Sequence, residues 1–202
     1  MAISKKEIAS NVRSRILDSA LELFTQSNYF STSVHDIRRH ADVSTGSVYH
    51  YFKSKEAIAE ALYESTLKRF DSKMDEIMQS HENTRDRCRA VVEFLFQLTE
   101  KEPNVMIYVL QARHQEFLPE SPPLCSSKPF SKMQQMVALG IKNNELRQMD
   151  RLVAASCLFG GPLRVIQLRL DNFIEHPITD MLDEVWQSSW RAVAAVQDTP
   201  NR

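Results

Sequence analysis

Residues Ser33–Glu56 read SVHDIRRHADVSTGSVYHYFKSKE. Val34, Ile37 and Ala41 fall at helical spacing, with Arg38, Arg39 and His40 on the opposite side, which predicts a short amphipathic helix over 33–40. Ser33 and Asp36 fit a capping box, in which a hydroxyl and a carboxylate three residues apart satisfy the orphan amides of a first turn. Asp42-Val43-Ser44 is a break of the kind that joins two helices at a steep angle, and Ser44 can cap the helix that follows, Thr45 to Phe52. In that second helix Val48 and Phe52 are four apart and face inward. Thr45, Gly46, Ser47, Tyr49 and His50 then face outward. A helix whose exposed first turn is small and hydroxylated can enter the DNA major groove closely. Gly46 costs a helix about 1 kcal/mol relative to alanine, so close approach of another molecule is the better reason for it. Lys53 and Lys55 flank Ser54, which can cap a third helix.

The run Ala41–Ile58, ADVSTGSVYHYFKSKEAI, resembles the helix-turn-helix and following helix of TetR-type transcriptional repressors. The Ser44 cap, the Tyr49-x-x-Phe52 pair and Lys53-x-Lys55-Glu56 carry the likeness, and Asn28–Val34 is similar to that family's loop between its first two helices. Asn28 and Asp42 stand where the family commonly has glycine; both residue types tolerate a left-handed backbone better than most. The likeness covers the first third of the chain. It implies an all-α protein: an N-terminal three-helix DNA-binding domain with a helix-turn-helix, residues 1–53, joined by a long helix to a C-terminal bundle, 54–202, for ligand binding and dimerisation. Thr32, Ser33, Tyr49, Lys53 and Lys55 are assigned to phosphates. Ser44 is the cap, and Thr45, Gly46, Ser47 and His50 meet base edges or the groove floor.

Composition agrees with a helical reading. The chain has 202 residues, 43% hydrophobic and 25% charged, and only four glycines, which argues against a turn-rich β fold and against glycine-rich phosphate loops. The net charge of -1 hides a weak polarity: residues 1–56 carry eight Lys/Arg against six Asp/Glu, the remainder 17 against 20. DNA binding must therefore depend on local charge placement and on two copies of the module. Cys88, Cys125 and Cys157 have no CxxC spacing, so neither a disulfide framework nor a metal site is expected. No cofactor is called for. The N-terminus lacks an apolar signal region and no stretch approaches about 18 apolar residues, so a cytoplasmic protein that does not enter the membrane is expected.

Along the chain, Ser4 and Glu7 form another capping-box pattern opening a helix to about Gln26, with Lys5 and Lys6 near its start as candidate phosphate contacts. A long helix runs from Ser54 to about Gln79, a lever able to swing the recognition helix. Asn83 or Thr84 caps a further helix that is apolar on most sides, Pro103 opens a short one, and Leu118–Phe130, with four prolines, is a loop. A helix from about Lys128 to Asn143 follows. Asp150 caps Leu152–Leu170, whose Gly160-Gly161-Pro162 should kink the helix or admit another backbone, and a last helix is predicted from Thr179 to Val196.

Leu158, Leu163, Ile166, Leu182, Val185, Trp186, Trp190 and Val193 on these last two helices are read as an isologous interface forming a four-helix bundle, with intramolecular core as the competing reading. The resemblance also implies a small effector in the central helices, and their apolar lining with a few polar anchors points to a lipophilic or aromatic one. Phe94, Phe96, Tyr108, Gln111, Arg113, His114 and Phe159 are its candidate lining, although core packing would explain the aromatic side chains as well. Double-stranded operator DNA, this effector and a second copy of the chain are the expected partners. Two rivals stand beside this reading: a DNA-binding regulator without an effector, and an all-α enzyme using His114, Glu116 or Cys157. No reaction-specific spacing such as HExxH or GxSxG supports the latter.

Overall fold

The structure, a computed structural model, describes residues 5–121 and 126–195, with side chains from Asn11 onward. Ser4, the side chains of Lys5, Lys6 and its capping partner Glu7, and Pro122, Pro123, Cys125 and Val196 lie outside what the structure describes. Helices α1 (Lys5–Gln26), α2 (Val34–His40), α3 (Thr45–Tyr51), α4 (Lys55–Ser80), α5 (Thr84–Lys101), α6 (Pro103–Leu110), α7 (His114–Phe117), α8 (Lys128–Lys142), α9 (Arg151–Leu170) and α10 (Leu182–Arg191) follow one another. Among the described residues the extended pairing is a single antiparallel bridge, Leu146 to Ala194. No helix among them is long and apolar enough to cross a membrane.

The chain forms two compact units. The first is Met1–Lys68 with Asn104–Pro123, and the second is Arg69–Pro103 with Leu124–Arg202. In the first, the stripe Ile16, Ala20 and Phe24 of α1 packs with Ile37 of α2, Val48 of α3 and Ile58 and Leu62 of α4, all buried. Each of these side chains larger than alanine contributes about 1.5–3 kcal/mol by leaving water. Tyr108 of α6 joins this core and donates its hydroxyl to Ala59 O at 3.3 Å.

The second unit is a bundle in which α5, α8, α9 and α10 pack on one another. Helix α5 buries Cys88, Val91, Val92, Leu95, Phe96 and Leu98, which explains why its apolar residues occupy most of its faces. Asn83 caps it, accepting from Asp86 N at 2.8 Å, and Glu145 accepts from Thr84 N at 2.7 Å. Burial among apolar neighbours pushes the Cys88 thiol up to about 12, so it behaves as a small hydrophobe.

One expectation for the C-terminal half is corrected, the extent of the last helix. Helix α9 runs from Arg151 to Leu170 with Pro162 inside it, and no neighbouring backbone reaches its glycines: Gly160 meets nothing within 4 Å, and Gly161 meets the Ser189 hydroxyl at 3.4 Å. The last helix is shorter than Thr179–Val196. A 3-10 turn covers Ile178–Met181 and α10 stops at Arg191, because the backbone beyond it finds other partners. Arg147 N donates to Val193 O and Ala195 N donates to Glu145 O, both at 3.0 Å, and these bonds form the bridge.

Candidate nucleic-acid interface

Local chemistry sets the α2–α3 geometry. Ser33 caps α2 in a complete capping box, Asp36 N donating to its hydroxyl at 3.1 Å and Ser33 N to the Asp36 carboxylate at 3.0 Å. The Ser33 hydroxyl, which donates to Asp36 Oδ2 at 2.5 Å, and then Ser33 N hold the Asp36 carboxyl below its ordinary value. After Ala41 the chain turns through Asp42, whose φ of 52° is left-handed, as is that of Asn28 at 65°. Both are the positions where the related pattern has glycine. The Arg15 guanidinium ties this turn to α1 by donating to the carbonyls of Ala41 and Asp42. Ser44 then caps α3, accepting from Ser47 N at 3.0 Å.

The outcome is a short helix with two distinct faces. Val48 is 1% and Phe52 5% exposed, while Thr45, Gly46, Tyr49 and His50 are open to solvent, Tyr49 at 54%. Lys53 is exposed beside them, and Ser47 is half-buried. A Cβ built on Gly46 would meet only the Ser44 hydroxyl, at 3.9 Å, an ordinary contact. Nothing inside the subunit requires a glycine there.

Two residues assigned to phosphates are engaged elsewhere. Thr32 is only 3% exposed and donates its hydroxyl to Asn28 O at 2.8 Å. Lys55 donates to Tyr29 O at 3.0 Å, with its ammonium 4.1 Å from the centre of the Tyr29 ring. Tyr29 in turn donates its hydroxyl to Glu56 at 2.9 Å and stacks on Phe117 at 4.2 Å. Burial and the Glu56 carboxylate raise the Tyr29 phenol well above its ordinary value. The first turn of α4 thus grips the α1–α2 loop through two side chains, Lys55 and Glu56, both on Tyr29. The aromatic at 29 is legible in the loop pattern, but its hydrogen-bond partners, like those of Arg15, lie 26 or more residues away, and no local spacing marks either role.

Beside this loop the first unit carries a cleft of about 290 Å³, walled by Phe24, Asn28 and Tyr29 on one side and Tyr108, Gln111 and Phe117 on the other. Of the proposed effector residues, Tyr108, Gln111 and Arg113 line it. His114 does not line it: its ring centre lies 4.7 Å from those of Tyr63 and Tyr108, its Nε2 is buried without a hydrogen-bond partner, and burial lowers its pKa to about 4. Phe96 and Phe159 are buried in the second unit, where Phe94 packs edge-on against Phe70 at 5.5 Å. Helical spacing could not separate these core aromatics from cleft-lining ones. Of the residues read as an interface, Leu158, Ile166, Trp186 and Val193 are buried within the subunit, whereas Leu163, Leu182, Val185 and Trp190 remain partly exposed. No group of three or more His, Cys, Asp or Glu among the described residues could hold a metal ion.

Residues 16–62 match the family model described as bacterial regulatory proteins, tetR family. The uncharacterized HTH-type transcriptional regulator YhgD of Bacillus subtilis is 33% identical over 98 residues, 46% of this chain and 48% of that protein. The HTH-type transcriptional repressor NemR of Escherichia coli is 33% identical over 86 residues, 42% of this chain and 43% of that protein. The chain spans about half the length of the curated relatives it matches. The crystal structure of the transcriptional regulator FadR from Bacillus subtilis in complex with stearoyl-CoA shares the fold with a TM-score of 0.75 at 21% identity, covering 87% of this chain and 96% of that one.

Proposed function

We propose that this chain, whose residues 16–62 match the model of bacterial regulatory proteins of the tetR family, is a ligand-responsive transcriptional regulator, a repressor, that binds a palindromic operator as a homodimer. The observation that carries this reading is the solvent face of α3, where Thr45, Gly46, Tyr49 and His50 stand exposed on a helix whose other side is core. Residues 1–53 act as the DNA-binding domain and 54–202 as the part that dimerises and responds to the effector. Thr45, Gly46, Ser47 and His50 read base edges, while Ser33, Tyr49 and Lys53 contact phosphates. Thr32, Ser44 and Lys55 act on DNA indirectly, by holding the loop and the cap. A seven-residue helix reaches too few base pairs for specificity, whereas a two-fold dimer reads two half-sites about one helical turn or a multiple apart. The partly exposed Leu163, Val185 and Trp190 on α9 and α10 support a helical interface.

An effector that prefers a dimer geometry mismatched to successive major grooves by about 1–3 kcal/mol lowers operator affinity about 5- to 150-fold. The stearoyl-CoA complex of the FadR neighbour supports response to a lipophilic molecule. The test is recovery of bound DNA from a random-sequence pool. A two-fold symmetric consensus is expected, with Thr45→Ala and His50→Ala changing the preferred base at one position of each half-site by about 1–3 kcal/mol. Failure to enrich any sequence, or an asymmetric one bound by a monomer, overturns the reading.

A further inference from the structure

The cleft beside the α1–α2 loop has a chemistry of its own. Its wall is dominated by rings: Phe24, Tyr29 and Phe30 from α1 and the loop, Tyr108 and Phe117 from α6 and α7. Phe30 is 64% exposed, edge-on to Tyr29 with ring centres 5.4 Å apart, and forms an uncovered apolar rim. At about 290 Å³ the space lies at the lower end of small-molecule pockets, which span about 300–1,000 Å³, so it admits a fused two-ring compound and excludes a helix or a lipid tail with its headgroup.

The polar lining selects against charge. Arg113 and Glu116 at the rim pair with each other at 3.0 Å, which cancels the only ionised lining groups. The remaining polar liners, Thr25, Asn28 and Gln111, are neutral. Asn28 commits its Oδ1 to Ser31 N at 3.1 Å, which leaves its NH2 to donate to a ligand carbonyl or ether oxygen. His114, behind Tyr108 and Phe117, is an uncharged imidazole at neutral pH and adds no field.

We infer that this cleft in the first unit is a binding site for one neutral, planar aromatic molecule carrying a hydrogen-bond acceptor, held between Phe24 and Phe30 on one side and Tyr108 on the other, beside the Tyr29–Phe117 stack that closes the cleft. The site needs no DNA and no second copy. Its link to gene regulation rests on the regulator reading, and it runs through Asn28, whose carbonyl takes the Thr32 hydroxyl immediately before the Ser33 cap of α2. A bound ligand therefore touches the residue that anchors the start of the DNA-facing helix pair.

The experiment is a titration of the full chain, without DNA, with the neutral solvatochromic naphthalene dye prodan, excited in its own absorption band. The expected result is a blue-shifted emission saturating at one dye per chain. Ala112→Trp, which fills the cleft from its wall, abolishes the shift, and Phe30→Ala, at an exposed position the core does not use, weakens binding at least tenfold. Circular dichroism confirms that each variant is folded; if Ala112→Trp is not, Phe30→Ala decides. No saturable shift, or equal binding by the folded variants, overturns the site. Absence of an operator in the random-pool selection overturns the regulator reading and leaves the dye result standing.

Discussion

Replacing Gly46 by alanine should make the protein more stable and a worse DNA binder. Gly46 sits one residue into α3, exposed, and a Cβ there lies 3.9 Å from the Ser44 hydroxyl with nothing nearer. Within the subunit the methyl is free of strain, and it removes backbone freedom from the unfolded chain, so Gly46→Ala gains about 0.5–1 kcal/mol. For a protein of this size that raises the melting temperature by about 1–4 °C. If α3 lies against base edges, the same methyl occupies space meant for the groove floor. Misfit of one methyl in a packed contact costs about 1–3 kcal/mol, which is about 5- to 150-fold in affinity. Calorimetry on the free protein and fluorescence anisotropy on the recovered operator measure the two effects separately. A variant that is more stable yet binds the operator within twofold of wild type refutes the docking of α3. A destabilised variant refutes the account of the helix itself.

The two lysines should separate cleanly. Lys53→Ala removes one phosphate contact from each subunit of the dimer, lowers affinity for all sequences and reduces the slope of log affinity against log salt by about 1.8, whereas Lys55→Met, which frees the Tyr29 carbonyl and ring, costs about 1–2 kcal/mol in chemical denaturation. Glu100 accepts from both Arg169 Nε and Nη2 and from Ile178 N, and these bonds, that from Arg169 foremost, hold its carboxyl below the ordinary value. Its folded value is depressed, so its contribution is present above the unfolded carboxylate value and is lost as pH falls through the folded one; Glu100→Gln should flatten that part of the acid limb of stability against pH. Asp42→Ala places alanine at a φ of 52° and should cost about 1 kcal/mol in a thermal melt, while Asp42→Gly should not. Gly140→Ala would put a Cβ 2.6 Å from Thr84 Cγ2 and 3.0 Å from Leu146, so a loss of about 1–3 kcal/mol is expected by denaturation, the reverse of Gly46→Ala.

Helix starts along the whole chain are legible because their signals are local. Ser33 with Asp36, Ser44 with Ser47, Asn83 with Asp86 and Asp150 with Leu152 and Val153 all make the caps their spacing announces. What failed depended on distant partners. The end of the last helix was misplaced because Val193 and Ala195 pair with backbone at Glu145 and Arg147, and no periodicity reports a partner nearly fifty residues away. Tyr108, Gln111 and Arg113 line the cleft, but its other wall belongs to the α1–α2 loop, and Phe96 and Phe159 fill a separate core. Lys55 was given to phosphate because a basic residue beside a recognition helix has that use, and only the structure reveals Tyr29 beneath it.

The four glycines sharpen the case for partners. None has a positive φ; the left-handed positions are taken by Asn28, Asp42, Asn144 and Asn172. Turn geometry therefore explains no glycine in this chain, and each needs a reason in space to offset about 1 kcal/mol of lost helix propensity. Gly140 has an internal one, the Thr84 and Leu146 side chains against it, and Gly161 has a weaker one in Ser189. Gly46 has only its own cap at van der Waals distance, and Gly160 has nothing within 4 Å. Both lie on exposed helix surface, one on α3 and one in the middle of α9. Selection for helix stability alone would favour alanine at either position. The two positions also fall on the two elements that the regulator reading assigns to DNA and to a second copy of the chain. A methyl at 160 should accordingly leave the isolated subunit unharmed and weaken the dimer, which sedimentation over a concentration series would detect as a raised dissociation constant. An unchanged constant would remove α9 around Gly160 from the interface without touching the argument for α3.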